Sequence, residues 1–283
     1  MHVLNTISGG ILAVLLLLST GVRPGIQVSQ SGQQASQLPT VSPSQSNISR
    51  NWAGYTATNG TFTGVSGTWT VPRVSGNGNL GADATWVGVG GVNTQDLIQA
   101  GTQAIVDPYG QVSYSAFYEG LPDASQPLNL SIRPGDSVSV SLTKGINHSW
   151  NIVVKDNTTG DNSSVNVAYN SSLSSAEWIE EAPSGQRRTM PLDNFGTVGI
   201  SNARAIENGR TVTPAQADAT PMTMTMGGNV ALAEASVLSS NGSSFTVTRT
   251  NQNISGQTIP DRGYADSGRI PFLLRRHLHF FEY

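Results

Sequence analysis

Ser137-Val138-Ser139-Val140-Ser141-Leu142 alternates a small polar residue with an apolar one over six positions. Successive side chains of a β-strand point to opposite faces, so this stretch gathers Val138, Val140 and Leu142 on one face and the serines on the other. A helix would spread both sets around its axis. The period of two recurs outward in both directions. It is present in Asn151-Ile152-Val153-Val154, in Ser164-Val165-Asn166-Val167-Ala168-Tyr169 and in Ser244-Phe245-Thr246-Val247-Thr248, and Met222, Met224 and Met226 alternate with threonine. Turn chemistry separates the runs: Pro134-Gly135-Asp136, Asp156-Asn157-Thr158-Thr159-Gly160, Gly227-Gly228-Asn229 and Asn241-Gly242. No segment keeps helical amphipathicity beyond about two turns. The pattern predicts an all-β fold, a sandwich or barrel of many short strands.

Toward the N-terminus the alternation stops near Asn47. Residues 1–25 hold one short apolar run, Ile11 to Leu18, followed by Ser19, Thr20 and Gly21. That run is too short to span a bilayer and reads as a signal-peptide core, with a buried strand or helix as the alternative. Residues 26–46 are rich in Ser and Gln with Pro39 and Pro43, the composition of a linker or propeptide. The folded domain is expected over 47–253. Residues 254–283 form a basic, aromatic tail unlike the rest, and we read it as an extension without a function of its own. Sequons such as those at Asn47, Asn129 and Asn241 are compatible with secretion.

Composition narrows the chemistry. The 283 residues include 15 Lys and Arg against 18 Asp and Glu, and the net charge of −3 offers no electrostatic footprint for nucleic acid. With no cysteine there is no disulfide, thiolate nucleophile or zinc finger. Of four histidines, His2, His277 and His279 lie in the terminal segments, so a serine triad would have to rest on His148. Lys144 and Lys155 are the only lysines. Proton chemistry in such a chain falls to carboxylates. Few ionisable groups also means few ion pairs to lose in acid.

Three motif matches are decoys. Gly76-Asn77-Gly78-Asn79-Leu80-Gly81 fits G-x-G-x-x-G, but Thr85-Trp86-Val87-Gly88-Val89 after it is a strand, where a dinucleotide fold needs a helix. Asp266-Ser267-Gly268 has no second triplet to share a proton with. Ser141-Leu142-Thr143-Lys144 fits S-x-x-K inside an alternating strand, with Ser141 turned from the core.

Two patches depart from plain strand grammar. Leu97-Ile98-Gln99-Ala100-Gly101-Thr102 places an amide among apolar and small residues. In Ser175-Ala176-Glu177-Trp178-Ile179-Glu180-Glu181-Ala182-Pro183, Glu177, Ile179 and Glu181 share one strand face while Trp178 and Glu180 share the other. A carboxyl beside Ile and Trp has its protonated form favoured by desolvation. The plainer alternative is an exposed Glu177 and a turn-capping Gln99.

Asn51-Trp52-Ala53-Gly54-Tyr55, Gly67-Thr68-Trp69-Thr70-Val71-Pro72, Trp86-Val87-Gly88-Val89-Gly90-Gly91, Ile98-Gln99-Ala100-Gly101, Tyr118-Glu119 and Ala176-Glu177-Trp178-Ile179-Glu180-Glu181 follow one another in an order and spacing that resembles the glutamic peptidases (eqolisins, family G1, formerly A4). The likeness runs from about Asn47 to Thr250. It implies a β-sandwich of two large antiparallel sheets, concanavalin A-like or jelly-roll-like, and a secreted endopeptidase active at acid pH. It also implies a catalytic dyad on neighbouring strands of the concave sheet, carried by Gln99 and Glu177. Trp52, Trp86 and Trp69 match aromatics bordering the family's cleft, and Trp52, Trp86, Tyr118 and Glu119 are the residues expected to meet substrate. In the chemistry so implied, Glu177 takes a proton from water and returns it to the leaving amine, and Gln99 stabilises the oxyanion. No metal or cofactor is needed. Polypeptide substrates, no nucleic-acid partner, no stable membrane insertion once the signal is removed and a monomer complete the expectation.

The chain also departs from the family. Gly90 stands where many members have an acid beside the dyad, Gly120-Leu121-Pro122 replaces two cleft aromatics after Tyr118-Glu119, and Gln103 replaces an Asp. The absence of cysteine resembles a prokaryotic branch. Two other classes fit parts of the pattern: a lectin-like sandwich stacking sugars on Trp52, Trp86 and Tyr118, and a glycoside hydrolase pairing Glu119 with Glu177.

Overall fold

In the computed structural model the described residues are 46–75, 80–184, 189–226 and 230–250. The expected signal peptide, most of the propeptide, the 254–283 tail and the Gly76–Asn79 part of the glycine-rich decoy lie outside them. The described residues form sixteen strands and no helix. In chain order these are β1 (Asn47–Ser49), β2 (Trp52–Ala57), β3 (Phe62–Thr70), β4 (Gly81–Gly90), β5 (Leu97–Val106), β6 (Val112–Gly120), β7 (Gln126–Pro127) and β8 (Ser137–Lys144). They continue as β9 (Ser149–Asp156), β10 (Asn162–Ala168), β11 (Ala176–Glu181), β12 (Thr197–Glu207), β13 (Arg210–Val212), β14 (Thr220–Met226), β15 (Val230–Ala235) and β16 (Phe245–Arg249).

The alternating runs become strands for the reason their pattern gives. In β8, Val138, Val140 and Leu142 are buried and the intervening serines half-buried, and in β9 Trp150, Ile152 and Val154 are buried between more exposed neighbours. These strands carry one wet face. The strands around the candidate site read differently, because β2, β4 and β11 are buried at every position. Strands covered on both faces have no polar side to alternate with.

The hydrogen-bonded order is β10-β9-β8-β3-β12-β16-β15-β14-β2-β11-β4-β5-β6-β7, with β1 on β14 and β13 on β12. Neighbours are antiparallel except β1, which runs parallel to β14. The path folds over on itself, so that β3 packs across β4 and β11, and β8 across β4 and β5. A Cβ on Gly67 of β3 would lie 3.3 Å from Val87 and 3.5 Å from Trp178. The two expected layers are therefore present, joined edge to edge where β15 bonds both β14 and β16. The main core lies between them, with Trp69, Trp150, Trp178, Phe62 and Phe245 fully buried. Each side chain of that size stabilises the fold by about 2–3 kcal/mol through apolar burial. A second, smaller cluster of Trp52, Trp86, Leu97, Phe117 and Ile179 sits on the other face of the β2-β11-β4-β5-β6 layer.

Candidate active site

Gln99 of β5 pairs with Gly88 of β4, and Gly88 pairs with Glu177 of β11. The row continues to Glu119 of β6 on one side and Thr56 of β2 on the other. Directly opposed residues share a face, so Glu119, Gln99, Glu177 and Thr56 all point to the side of the layer away from the main core. Gln99 and Glu177 are therefore not on the neighbouring strands expected but on strands separated by β4, and at ~4.8 Å per strand their backbones stand about 10 Å apart. Both are long side chains, and the residue between them has none.

Gln99, Glu119 and Glu177 are each 0 % exposed and lie within strands, so neither an exposed Glu177 nor a turn-capping Gln99 describes this chain. Gln99 Nε2 donates to Glu119 Oε2 at 2.8 Å, which fixes the NH2 end of the amide toward β6. Burial raises the Glu177 carboxyl well above the ordinary glutamate value; the neighbouring Ser175 hydroxyl opposes that, and the Asp96 charge adds to it. A group so placed is a stronger base when ionised and a ready proton donor when not.

The floor of the face is aromatic. Trp52 and Trp86 meet edge to face with ring centroids 5.1 Å apart at 78°. Glu181, one turn of the pleat pattern beyond Ile179 on the same face, accepts from Trp86 Nε1 at 2.8 Å and from Asn51 Nδ2 at 2.9 Å. These bonds hold the Trp86 ring beside Gly88. Tyr118 is not brought to this face. It alternates with Glu119 along β6 and packs on the main core. Trp69 is also in the main core, donating from Nε1 to Thr102 Oγ1 at 2.9 Å. Of the residues expected to meet substrate, the register therefore gathers Trp52, Trp86 and Glu119 around Gln99 and Glu177, and leaves Tyr118 on the reverse side.

Sequence reasoning missed the reverse side of the same strands. Glu180 and Asp83 point into the main core, and Thr85 Oγ1 donates to Glu180 Oε2 at 2.6 Å. Asp83 lies close to both Glu180 and Asp193. Carboxyls so close and so buried do not all ionise together, so the group keeps protons. Burial is the main cause that pushes Glu180 up to about 8 and Asp193 up to about 9, and Asp83 is raised well above its ordinary value. Arg249 pulls Asp193 back in part. The available signal was Ala82-Asp83-Ala84, an acid between alanines in a strand. Among the described residues, no group of three or more His, Cys, Asp or Glu is placed to hold a metal ion, and no helix is long and apolar enough to cross a membrane.

The model of the Peptidase A4 family matches residues 50–249, which contain every residue of this site. The chain belongs to that family. It is a glutamic peptidase, an eqolisin, as its motif order implied. Aspergillopepsin-2 of Aspergillus niger is 32 % identical over 225 residues, covering 71 % of this chain and 77 % of that protein. The crystal structure of aspergilloglutamic peptidase from Aspergillus niger superposes with a TM-score of 0.54 at 31 % identity, over 60 % of this chain and 99 % of the other. Scytalido-glutamic peptidase, solved with a transition state analog inhibitor, superposes at 0.62 with 25 % identity, over 71 % and 98 %. The eqolisin β-sandwich is thus shared, and the sugar-binding and glycosidase readings have no comparable support.

Proposed function

We propose that this eqolisin is a secreted endopeptidase that hydrolyses peptide bonds with Glu177 and Gln99. The observation that carries the reading is the in-register row Gln99–Gly88–Glu177, two polar side chains flanking a residue that cannot obstruct what lies between them. A scissile peptide laid over Gly88 has Glu177 on one side and the Gln99 amide on the other. Glu177, ionised, takes a proton from a water attacking the carbonyl carbon. Gln99 stabilises the oxyanion, and Glu177 then delivers the proton to the departing amine nitrogen. Trp52 and Trp86 line the dyad with apolar surface, and Glu119 fixes the Gln99 amide by accepting from its Nε2.

The test is cleavage of an unfolded protein across acid to neutral pH by wild type, Glu177→Gln and Gln99→Ala. Glu177→Gln is expected to abolish detectable turnover, and Gln99→Ala to lower kcat about 10²- to 10³-fold. Because Glu177 ionises only above its raised pKa, kcat/KM should climb with pH along an acid limb lying above the ordinary glutamate range. Turnover by folded Glu177→Gln at the wild-type rate would sink the dyad. Secretion is tested separately, by whether expression of the full chain leaves a shortened protein in the medium.

A further inference from the structure

We propose that Asp96 is a positioning residue of the dyad: its carboxylate occupies the space that Gly90 leaves on the catalytic face, one residue pair along from Glu177, and sets how tightly Glu177 holds its proton. This rests on the dyad reading.

Gly90 ends β4 two positions beyond Gly88, so both present the same face. Gly90 has φ +90°, and a Cβ there would lie 2.7 Å from Asp96 Oδ2 and 2.7 Å from the Asp96 carbonyl oxygen. The position excludes a side chain on both grounds, conformational and steric. Asp96 just precedes Leu97 of β5, and its carboxylate fills that place. The site is built to hold a charge. Ser172 N–H donates to Asp96 Oδ2 at 2.6 Å, and the hydroxyls of Thr94, Ser172 and Ser171 also bond it. Partial burial works against ionisation, yet these donors outweigh it and hold Asp96 below the usual aspartate value. The same segment braces the start of β11, because Gly90 N–H donates to Ser175 O at 3.0 Å, and Ser175 stands two residues before Glu177 on its face.

The surroundings of Glu177 single Asp96 out. From β4 it faces Gly88 and Gly90, and from β2 Thr56; neither strand brings a charge to this face, Asp83 of β4 lying on the reverse one. From β5 it faces Gln99, with Glu119 behind on β6. On its own strand Glu181 is engaged by Trp86 and Asn51. The Tyr169 phenol, nearby, is pushed up to about 12 by its burial and stays neutral. Asp96 is the acid whose charge reaches Glu177. Two residues of strand are ~7 Å, a separation at which one partly screened charge moves a neighbour by about one pH unit.

Asp96→Asn keeps the acceptor oxygen for Ser172 and removes the charge. The acid limb of kcat/KM is expected to move about one pH unit lower, with kcat on the plateau changed less than threefold and unfolding temperature near wild type. Carboxyl carbon-13 NMR of Glu177, assigned by the signal lost in Glu177→Gln, reads the same shift without turnover. A Glu177 titration that stays put in folded Asp96→Asn overturns the proposal, and so does a fall in kcat with the limb unmoved. If Asp96→Asn does not fold, Asp96→Ser carries the same two readings. A titration that moves while Glu177→Gln remains active would defeat the dyad and leave the Asp96 coupling standing.

Discussion

Gly88 is the residue on which the site turns. A methyl group there would come within 2.9 Å of Leu97 Cδ1 and of Trp86 Cζ3, and would stand between Gln99 and Glu177. Gly88→Ala should cost about 1–3 kcal/mol by overpacking and lower kcat/KM by about 10-fold or more, whereas a stability loss alone leaves kcat/KM unchanged in a protein still folded at assay temperature. Urea unfolding and kinetics on the same preparation check both. In the sequence, an amide and an acid among Ile, Leu and Trp marked Gln99 and Glu177 as departures from a plain buried strand, and the motif series, not that departure, paired them. The stand-in of Asp96 for a side chain at Gly90 was not legible there. Gly90 showed only an absence, and the filling carboxylate comes from a loop that bonds Ser172, 76 residues downstream.

At the scale of the element, one phenol braces the start of β5. Tyr169 Oη accepts from Leu97 N–H at 2.7 Å and donates to Leu121 O at 2.7 Å, tying the first residue of β5 to the turn after β6. The ring lies against Gly120, where a Cβ would meet Tyr169 Cδ2 at 2.8 Å. Tyr169→Phe leaves both backbone groups without that partner and should destabilise by about 1–3 kcal/mol. Faster amide exchange at Leu97, with exchange in β8 and β9 unchanged, would locate the loss at this strand. The contrast between strands also explains what patterning revealed. β8, β9 and β16 have one face toward water and show clear alternation. β4 and β11 are covered on both faces, so period two gives no clue to which side carries chemistry. The motif series, and then the register, supplied that. Tyr118 shows the limit, since it sits one residue from Glu119 and therefore on the other face.

Across the whole molecule, pH acts through the Asp83–Glu180–Asp193 chain. In the unfolded chain these carboxyls ionise near 4, whereas folded Glu180 and Asp193 hold protons to about 8 and about 9. Above pH 4 the unfolded state therefore binds fewer protons than the folded one, and stability falls as pH rises until the folded groups have also ionised. Unfolding temperature should be highest in acid and decline steadily between about pH 5 and 9. Asp83→Asn, whose amide N–H groups can donate to Glu180 and Asp193 when these are ionised, should flatten that decline. An unchanged slope in a folded variant would remove the chain from the explanation. Together with the acid limb set by Glu177, this confines activity to a band between two edges. Glu177 and Glu180 stand three residues apart on one strand and face opposite ways, so both edges are written into a single six-residue segment, β11. An engineer who wants the enzyme to work in alkaline wash water has to edit the back of this ribbon as well as the cleft, because stability drains away through Glu180 as pH rises.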